Sequence, residues 1–298
     1  MPLWDPAKRL VLAIVRPLAH FFLRHWIRHD ELVRVRQEIR YLALGQLLGR
    51  TDKKPIDLTL YELSVFSQNG EDGVLHEIVS RIGAPVRFFV EIGASNNEAN
   101  CLLLADVLGW QGLFLDADPA EVAQLEKRYW AKREVRAECH TVTGDNISQL
   151  LIANDVPQDL SVLSIDVDGN DYWLWKGLTE FRPRVVVIEY NSSLSSDKPW
   201  VQPNQPGSVW DNTEDFGASL SALIELAESK GYRLVHAEIT GTNAFFVRAD
   251  LAENHFLATD QISRRVPNFY LYGLMHRQSP RRMHYVNTSE SQPEVRND

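Results

Sequence analysis

The chain has 298 residues, 44% of them hydrophobic, and a formal net charge of −9. That apolar fraction suits a buried core and excludes a disordered chain. Charge is uneven, because residues 1–54 carry 11 Lys and Arg against 5 Asp and Glu, whereas residues 55–298 carry 20 against 35. The acidic body argues against nucleic acid as a substrate, since phosphate groups are normally bound in a basic groove.

The first predicted element is an amphipathic helical arm over residues 1–50. Between Leu10 and Trp26 its apolar residues recur at three- and four-residue spacing, with Arg and His between them. Two interpretations stay open. The arm packs on the domain or on a second copy in a homo-oligomer, or residues 1–30 make peripheral contact with an anionic membrane.

Two further features bear on where the protein works. Arginines interrupt the first apolar stretch, so we expect no secretory signal. The two cysteines, Cys101 and Cys139, lie in or beside apolar segments and predict no disulfide. The sequence therefore predicts a cytoplasmic protein, at the inner face of the membrane if the arm binds lipid.

Residues 51–285 are predicted to form one α/β domain, because short β-rich runs alternate with helical patterns. The predicted strands are Phe88–Ile92, Leu113–Asp116, His140–Val142, Ser161–Asp166, Val185–Glu189, Arg233–Ile239 and Ala244–Val247. The predicted helices are Cys101–Leu108, Pro119–Trp130, Ile147–Asn154 and Tyr172–Leu178. The short connection before the last strand predicts an antiparallel hairpin on an otherwise parallel sheet. The polar tail, 286–298, is predicted to be disordered.

The end of the first predicted strand resembles a nucleotide-binding turn. Gly93 follows the strand and lets a ligand approach the backbone, and Ser95 lies in the same turn. The turn lacks the further glycines of the dinucleotide fingerprint, which disfavours NAD. Asp116 ends the second strand about 20 residues later, where an acid accepts hydrogen bonds from a ribose diol. Asp118 is interpreted as a helix N-cap.

Polar residues also follow the next three strands. Asp145 and Asn146 are candidates for contact with an adenine amino group, and capping of the following helix is an equally good role. Asp166 and Asp168 end the fourth strand, and Glu189 and Asn191 end the fifth. We expect these last four side chains to converge, since ligand sites of open α/β sheets lie beyond the carboxyl ends of the strands.

Two kinds of chemistry fit that convergence. The four side chains offer the oxygen ligands that Mg²⁺ prefers, and a bound metal would lower the pKa of an acceptor hydroxyl. Without a metal, a carboxylate such as Asp166 or a nearby histidine would act as a general base. Asp171 is interpreted as the N-cap of the next helix, and no histidine is assigned a role, with His236 expected to be a satisfied core residue.

Three strings now resemble a known family: Ser67–Gly73, Val90–Ala94 and Ile165–Trp173. They look like the FkbM-like family of class I S-adenosylmethionine-dependent methyltransferases, and the resemblance extends over about residues 60–250. It implies a Rossmann-like class I sheet, S-adenosylmethionine as methyl donor, and O-methylation of a small-molecule or glycan acceptor. It adds Gln68 and Glu91 to the cofactor-binding residues, together with Asp166.

A long polar loop and two rival functions complete the sequence predictions. Residues 192–215 contain Trp200 and Trp210 and are predicted to be either an acceptor lid with a carbohydrate-stacking platform or a surface excursion packed on the core.

A glycosyltransferase remains an alternative, because Asp166 and Asp168 resemble an Asp-x-Asp metal pair. A non-catalytic binding module is the second alternative function.

Overall fold

The computed structural model describes residues 56–194, 198–206 and 215–267. The predictions for the arm at 1–50, for Trp210 and for the tail at 286–298 fall outside these residues. Within the described residues, no helix has both the length and the apolar character that crossing a membrane requires.

The described residues form a seven-stranded sheet with the order β3-β2-β1-β4-β5-β7-β6. The strands are β1 (Phe88–Ile92), β2 (Gln111–Asp116), β3 (Val135–Cys139), β4 (Val162–Ile165), β5 (Val185–Glu189), β6 (Tyr232–Ala237) and β7 (Asn243–Arg248). The first five pair in parallel, and β7 runs antiparallel to both β5 and β6. The predicted fold class, a mostly parallel Rossmann-like α/β sheet with one antiparallel hairpin, is confirmed.

Helices cover both faces of the sheet. They are α1 (Glu71–Ile82), α2 (Leu102–Asp106), α3 (Pro119–Tyr129), α4 (Ile147–Ala153), α5 (Asp171–Gly177), α6 (Leu220–Ser229) and α7 (Ala249–Ala252). One buried apolar cluster contains residues of α1, α2 and α3, and the other contains residues of α4, α5 and α6. Because strand side chains alternate between faces, every strand except β3 contributes to both clusters, and β3 contributes only to the cluster with α1, α2 and α3.

The third strand is the main error of the sequence prediction. It occupies Val135–Cys139 and ends before the predicted His140–Val142. Its inward residues, Val135 and Ala137, alternate with polar residues at the edge of the sheet, so no apolar run marks it. His140 consequently lies past the strand, exposed, with Nε2 3.3 Å from Glu138 Oε2.

Candidate functional site

The strand register aligns four residues across the middle of the sheet. Ile92 of β1 pairs with Leu115 of β2 and with Ile165 of β4, and Ile165 in turn pairs with Ile188 of β5. The next residue on each strand is therefore at the same level: Gly93, Asp116, Asp166 and Glu189. The strand order reverses between β1 and β4, and ligands of such sheets bind in the crevice at this switch point.

Strand alternation also sets the face on which the acidic side chains lie. Phe89, Phe114 and Val187 belong to the apolar cluster beneath α1, α2 and α3. Residues two positions further along the same strands, Glu91, Asp116 and Glu189, share that face. A row of carboxylates thus faces the helices that precede and follow β1.

Gly93 is required by the sheet itself. Its φ is +85°, and a Cβ at this position would lie 1.6 Å from the backbone oxygen of Asp166 at the end of β4. Its N–H donates to the Leu115 carbonyl at 2.9 Å, which fixes the turn across β1 and β2. Its position after β1 predicts a role in ligand approach, and the structure adds that contact with the neighbouring strand already excludes a side chain.

The side chains of Glu91 and Ser95 hold the loop after Gly93 in place by accepting hydrogen bonds from its backbone N–H groups. Glu91 is 1% exposed, and its two carboxylate oxygens accept from the N–H groups of Asn100 at 2.7 Å and Cys101 at 2.8 Å. Ser95 Oγ accepts from the N–H groups of the two residues after Asn96, at 3.3 and 3.2 Å. Both residues shape the turn through backbone contacts.

Two buried acids, Glu91 of β1 and Glu238 directly after β6, give the fold a pH dependence. Burial raises the pKa of Glu91, and likewise the pKa of Glu238, from 4.5 to about 7. The folded chain therefore holds protons that the unfolded chain has released between pH 4.5 and about 7, so these groups make the fold more stable as the pH falls through that window. We expect these two groups to raise the free energy of unfolding in urea by on the order of 2 kcal/mol from pH 8 to pH 6. Glu91→Gln with Glu238→Gln should reduce the slope by that amount, and an unchanged slope would contradict the assignment.

Asp116 and Asp118 have separate roles after β2. Asp116 is half-buried, Oδ1 accepts from the Asp118 N–H at 2.6 Å, and burial raises the pKa of its carboxyl group. Asp118 caps α3, accepting from the Ala120 N–H at 2.8 Å with Pro119 at the first helical position. The predicted N-cap role of Asp118 is confirmed. Asp116 remains the candidate for ribose binding at the end of β2.

Three further candidates for cofactor binding sit at the rim. Asn146 precedes α4, but its side chain makes no capping bond. Oδ1 accepts from the Thr143 N–H at 2.7 Å and Nδ2 donates to the Thr141 carbonyl at 3.0 Å, so the amide holds its own loop. Asp145 and Gln68 are exposed.

Asp166, Asp168 and Glu189 do converge. One carboxylate oxygen from each lies within 4.8 Å of those of the other two. Burial, and then the neighbouring carboxylates, raise the pKa values of Asp166 and Glu189 well above the usual range. Glu189 Oε2 is buried and has no hydrogen-bond partner. Asn191, the fourth predicted residue, hydrogen-bonds to nearby backbone: Nδ2 donates to the Phe216 carbonyl at 3.1 Å and Oδ1 accepts from the Ser193 N–H at 3.0 Å.

The turn that presents Asp168 is held by Asp171. Asp168 has a left-handed backbone, with a φ of 53°, which is unfavourable for a residue with a side chain. Asp171 is fully buried, and its oxygens accept from the N–H groups of Val167 and Gly169, both at 2.9 Å. The predicted N-cap role is wrong, because Asn170 occupies that position and Asp171 is the first residue of α5.

Part of the long loop after β5 is anchored beside this turn. Trp200 is 4% exposed, so its indole packs in the interior and does not offer the stacking platform considered in the sequence analysis. Trp173 Nε1 donates to the Gln202 carbonyl at 2.8 Å, and Asn170 Nδ2 donates to the Gln205 carbonyl at 2.6 Å. The segment at 198–206 is therefore attached to the start of α5.

Sequence reasoning missed two polar residues on the site's face, Glu71 at the start of α1 and Asn243 at the start of β7. Glu71 is 0% exposed and Asn243 is 2% exposed, and they share a hydrogen bond. Glu71 lies within Ser67–Gly73, but its position among polar residues at the start of a helix gives no sign in the sequence that it is buried. Asn243 directly precedes the predicted last strand, so the sequence placed it in the hairpin connection and did not predict its burial.

No protein-family model matches the sequence, and no curated protein matches it. Among solved structures, the N-terminal domain of EvdMO1 with S-adenosylhomocysteine bound aligns over 71% of this chain and 94% of its own, with 16% identity and a TM-score of 0.40. The CurJ carbon methyltransferase aligns over 65% and 58%, with 14% identity and a TM-score of 0.41. The CcbJ methyltransferase from Streptomyces caelestis aligns over 58% and 94%, with 13% identity and a TM-score of 0.36.

Proposed function

We propose that this chain is an S-adenosylmethionine-dependent methyltransferase that methylates a hydroxyl group of a small polar acceptor, such as a sugar, a glycan or a secondary metabolite. One observation carries the proposal. A tight glycine turn, a strand-end acid and two partly buried carboxylates lie at one level across β2, β1, β4 and β5, around the switch point of the sheet. The resemblance to the FkbM-like family supports the same cofactor.

The charge of the site favours a sulfonium cofactor. Asp166 and Glu189 lie among other carboxylates, which raise their pKa values further. A sulfonium cation would be stabilised here, while a pyrophosphate would be repelled unless a metal neutralised it. This disfavours the glycosyltransferase alternative. A rise in melting temperature with a uridine diphosphate sugar and none with S-adenosylhomocysteine would restore it.

The chain's own residues then have separable tasks. Asp116 would hold the ribose hydroxyls, and the Gly93 turn would let the cofactor lie against β1. Methyl transfer is an in-line displacement, so the acceptor oxygen must be aligned with the methyl group and the sulfur. Asp166 would accept the hydroxyl proton as the oxygen attacks. Its raised pKa makes the ionised carboxylate a stronger base than an exposed aspartate.

A divalent metal fits the same carboxylates. One carboxylate oxygen from each of the three acids lies within 4.8 Å of the other two, and Glu189 Oε2 is buried without a hydrogen-bond partner. Mg²⁺ takes hard oxygen donors of this kind. Asp166, Asp168 and Glu189 would hold the ion, while Asp171 would keep the Asp168 turn in place. Bound there, a metal would supply Lewis acidity to the acceptor hydroxyl.

Asp116→Ala tests cofactor binding. We expect it to weaken S-adenosylhomocysteine binding by about 1.5–3 kcal/mol, the scale of a hydrogen bond to a charged group. Isothermal titration calorimetry measures this directly. Asp118→Ala is the matched control, since it removes the cap of α3 and should lower stability by about 1 kcal/mol with little change in affinity. Equal affinities for Asp116→Ala and the unmodified protein would contradict the ribose assignment.

The FkbM-like assignment, membrane contact through the arm, a homo-oligomer and cytoplasmic location remain predictions alongside this proposal. A non-catalytic module remains the alternative from another class. Binding of S-adenosylhomocysteine without methyl transfer to any hydroxyl acceptor in a panel of sugars and metabolites would favour it.

A further inference from the structure

One corner of the site contains hydrogen-bond acceptors that lack donors. Glu189 of β5 and Asn243 of β7 are register partners, so their side chains lie next to each other on one face of the sheet. Glu71, at the start of α1, reaches the same place, because its Oε1 accepts from Asn243 Nδ2 at 2.9 Å. We call Glu71, Glu189 and Asn243 the β7 corner.

The hydrogen bonds of the β7 corner can be counted atom by atom. Glu71 Oε2 accepts from the Asn69 N–H at 2.8 Å, and Glu71 Oε1 is bonded to Asn243. Asn243 Oδ1 and Glu189 Oε2 are buried and have no partner. The amide orientation is fixed by chemistry, since turning it over would place Oδ1 against the Glu71 carboxylate, two acceptors facing each other.

These acceptors specify the chemistry of what would satisfy them. A buried acceptor without a donor is unfavourable because it has lost its hydrogen bonds to water, and two stand side by side here next to a third acceptor group, the Glu71 carboxylate. A water molecule brings two donors and no charge. A primary ammonium brings three donors, no acceptor and a positive charge.

We propose that the β7 corner binds a primary ammonium group. The inference rests on the proposed function for the source of that group, which is either the amino-acid part of S-adenosylmethionine or an amino substituent on the acceptor. It is compatible with a metal on the other side of Glu189, because β5 lies between β4, which carries Asp166, and β7, which carries Asn243. The two oxygens of Glu189 can serve both neighbours.

The probe is methylammonium chloride, compared with tetramethylammonium chloride at the same ionic strength. Both cations carry one positive charge, but only methylammonium has N–H donors. We expect methylammonium alone to raise the melting temperature of the full-length protein, by about 2–5 °C at a concentration well above its dissociation constant. Asn243→Leu should abolish this difference. Asn154→Ala, which alters a buried amide at the end of α4, should leave it intact.

Addition of saturating S-adenosylhomocysteine separates the two sources. If the methylammonium shift disappears, the cofactor's own ammonium occupies the corner, and Asn243→Leu should then weaken S-adenosylhomocysteine at least 10-fold without affecting methylthioadenosine, which lacks the amino-acid part. If the shift persists, the ammonium belongs to the acceptor.

Equal shifts with both cations, or a methylammonium shift that survives in Asn243→Leu, would overturn the proposal. Asn243→Asp covers the case in which the leucine variant does not fold, because it keeps an acceptor in the corner and should retain or enlarge the shift. Failure of the unmodified protein to bind S-adenosylhomocysteine would refute the proposed function alone, because the methylammonium comparison does not use the cofactor.

Discussion

Asparagine in place of Asp166 is expected to slow methyl transfer by about 10²–10⁴-fold and, at the same time, to raise the melting temperature of the ligand-free protein. The loss of rate would follow from removing the group that we propose accepts the hydroxyl proton or holds the metal. The gain in stability follows because Asp166 is crowded by carboxylates, including Asp171, Asp168 and Glu91. Neutralising one member relieves that repulsion.

The measurements are single-turnover methyl transfer at saturating cofactor and thermal unfolding without ligand. Glu189→Gln should behave in the same way, since neighbouring carboxylates also raise the pKa of Glu189. Asp159→Asn is the control, because that acid is exposed in the turn before β4, at the opposite end of the strand, and should change neither quantity. A variant at Asp166 with full activity and lower stability would refute its role.

Chelation then separates the two roles of the carboxylates. If they hold Mg²⁺, EDTA should stop turnover of the unmodified protein while leaving S-adenosylhomocysteine binding nearly intact. If Asp166 is the base, EDTA has no effect, and the pH–rate profile of Asp166→Asn should lose its acidic limb. Full turnover in EDTA rules out the metal.

The sequence predicted the sheet well where strands are apolar on both faces. Val185–Glu189 and Phe88–Ile92 have the predicted bounds, because central parallel strands are continuous apolar runs. Val135–Cys139 was missed, since an edge strand alternates with polar residues. The same limit applies to α1, whose first turn buries Glu71 and Asp72, residues that a hydrophobicity pattern places at the surface.

The candidate site was predictable to the extent that strand ends define it. Asp116, Asp166 and Glu189 follow apolar runs, and the rule that ligands bind at the carboxyl ends of strands brings them to one edge. What the sequence could not supply is hydrogen-bond detail. Asn191 and Asp171 lie in the predicted region of the sheet. Their side chains, however, form hydrogen bonds with nearby backbone groups, which only the structure shows.

Alanine in place of Gly93 is expected to destabilise the fold by roughly 3–5 kcal/mol, the sum of left-handed strain and overpacking. The added Cβ would lie 1.6 Å from the Asp166 carbonyl oxygen, so β1 and β4 would have to separate at the switch point. Gly109 supplies the matched control. Its φ is +66°, close to the +85° of Gly93, but no atom lies within 4 Å of its added Cβ.

Gly109→Ala therefore isolates the backbone strain, which we expect to be about 1–2 kcal/mol. The difference between the two variants in urea unfolding measures the contact between the Gly93 turn and β4. Equal losses of stability would show that the strand ends tolerate a side chain. The glycine would then be explained by ligand approach after all, and Gly93→Ala should weaken S-adenosylhomocysteine binding while leaving the folded protein intact. A large difference, by contrast, assigns Gly93 to the architecture that brings the turn after β1 and the Asp166 carboxylate to adjacent positions.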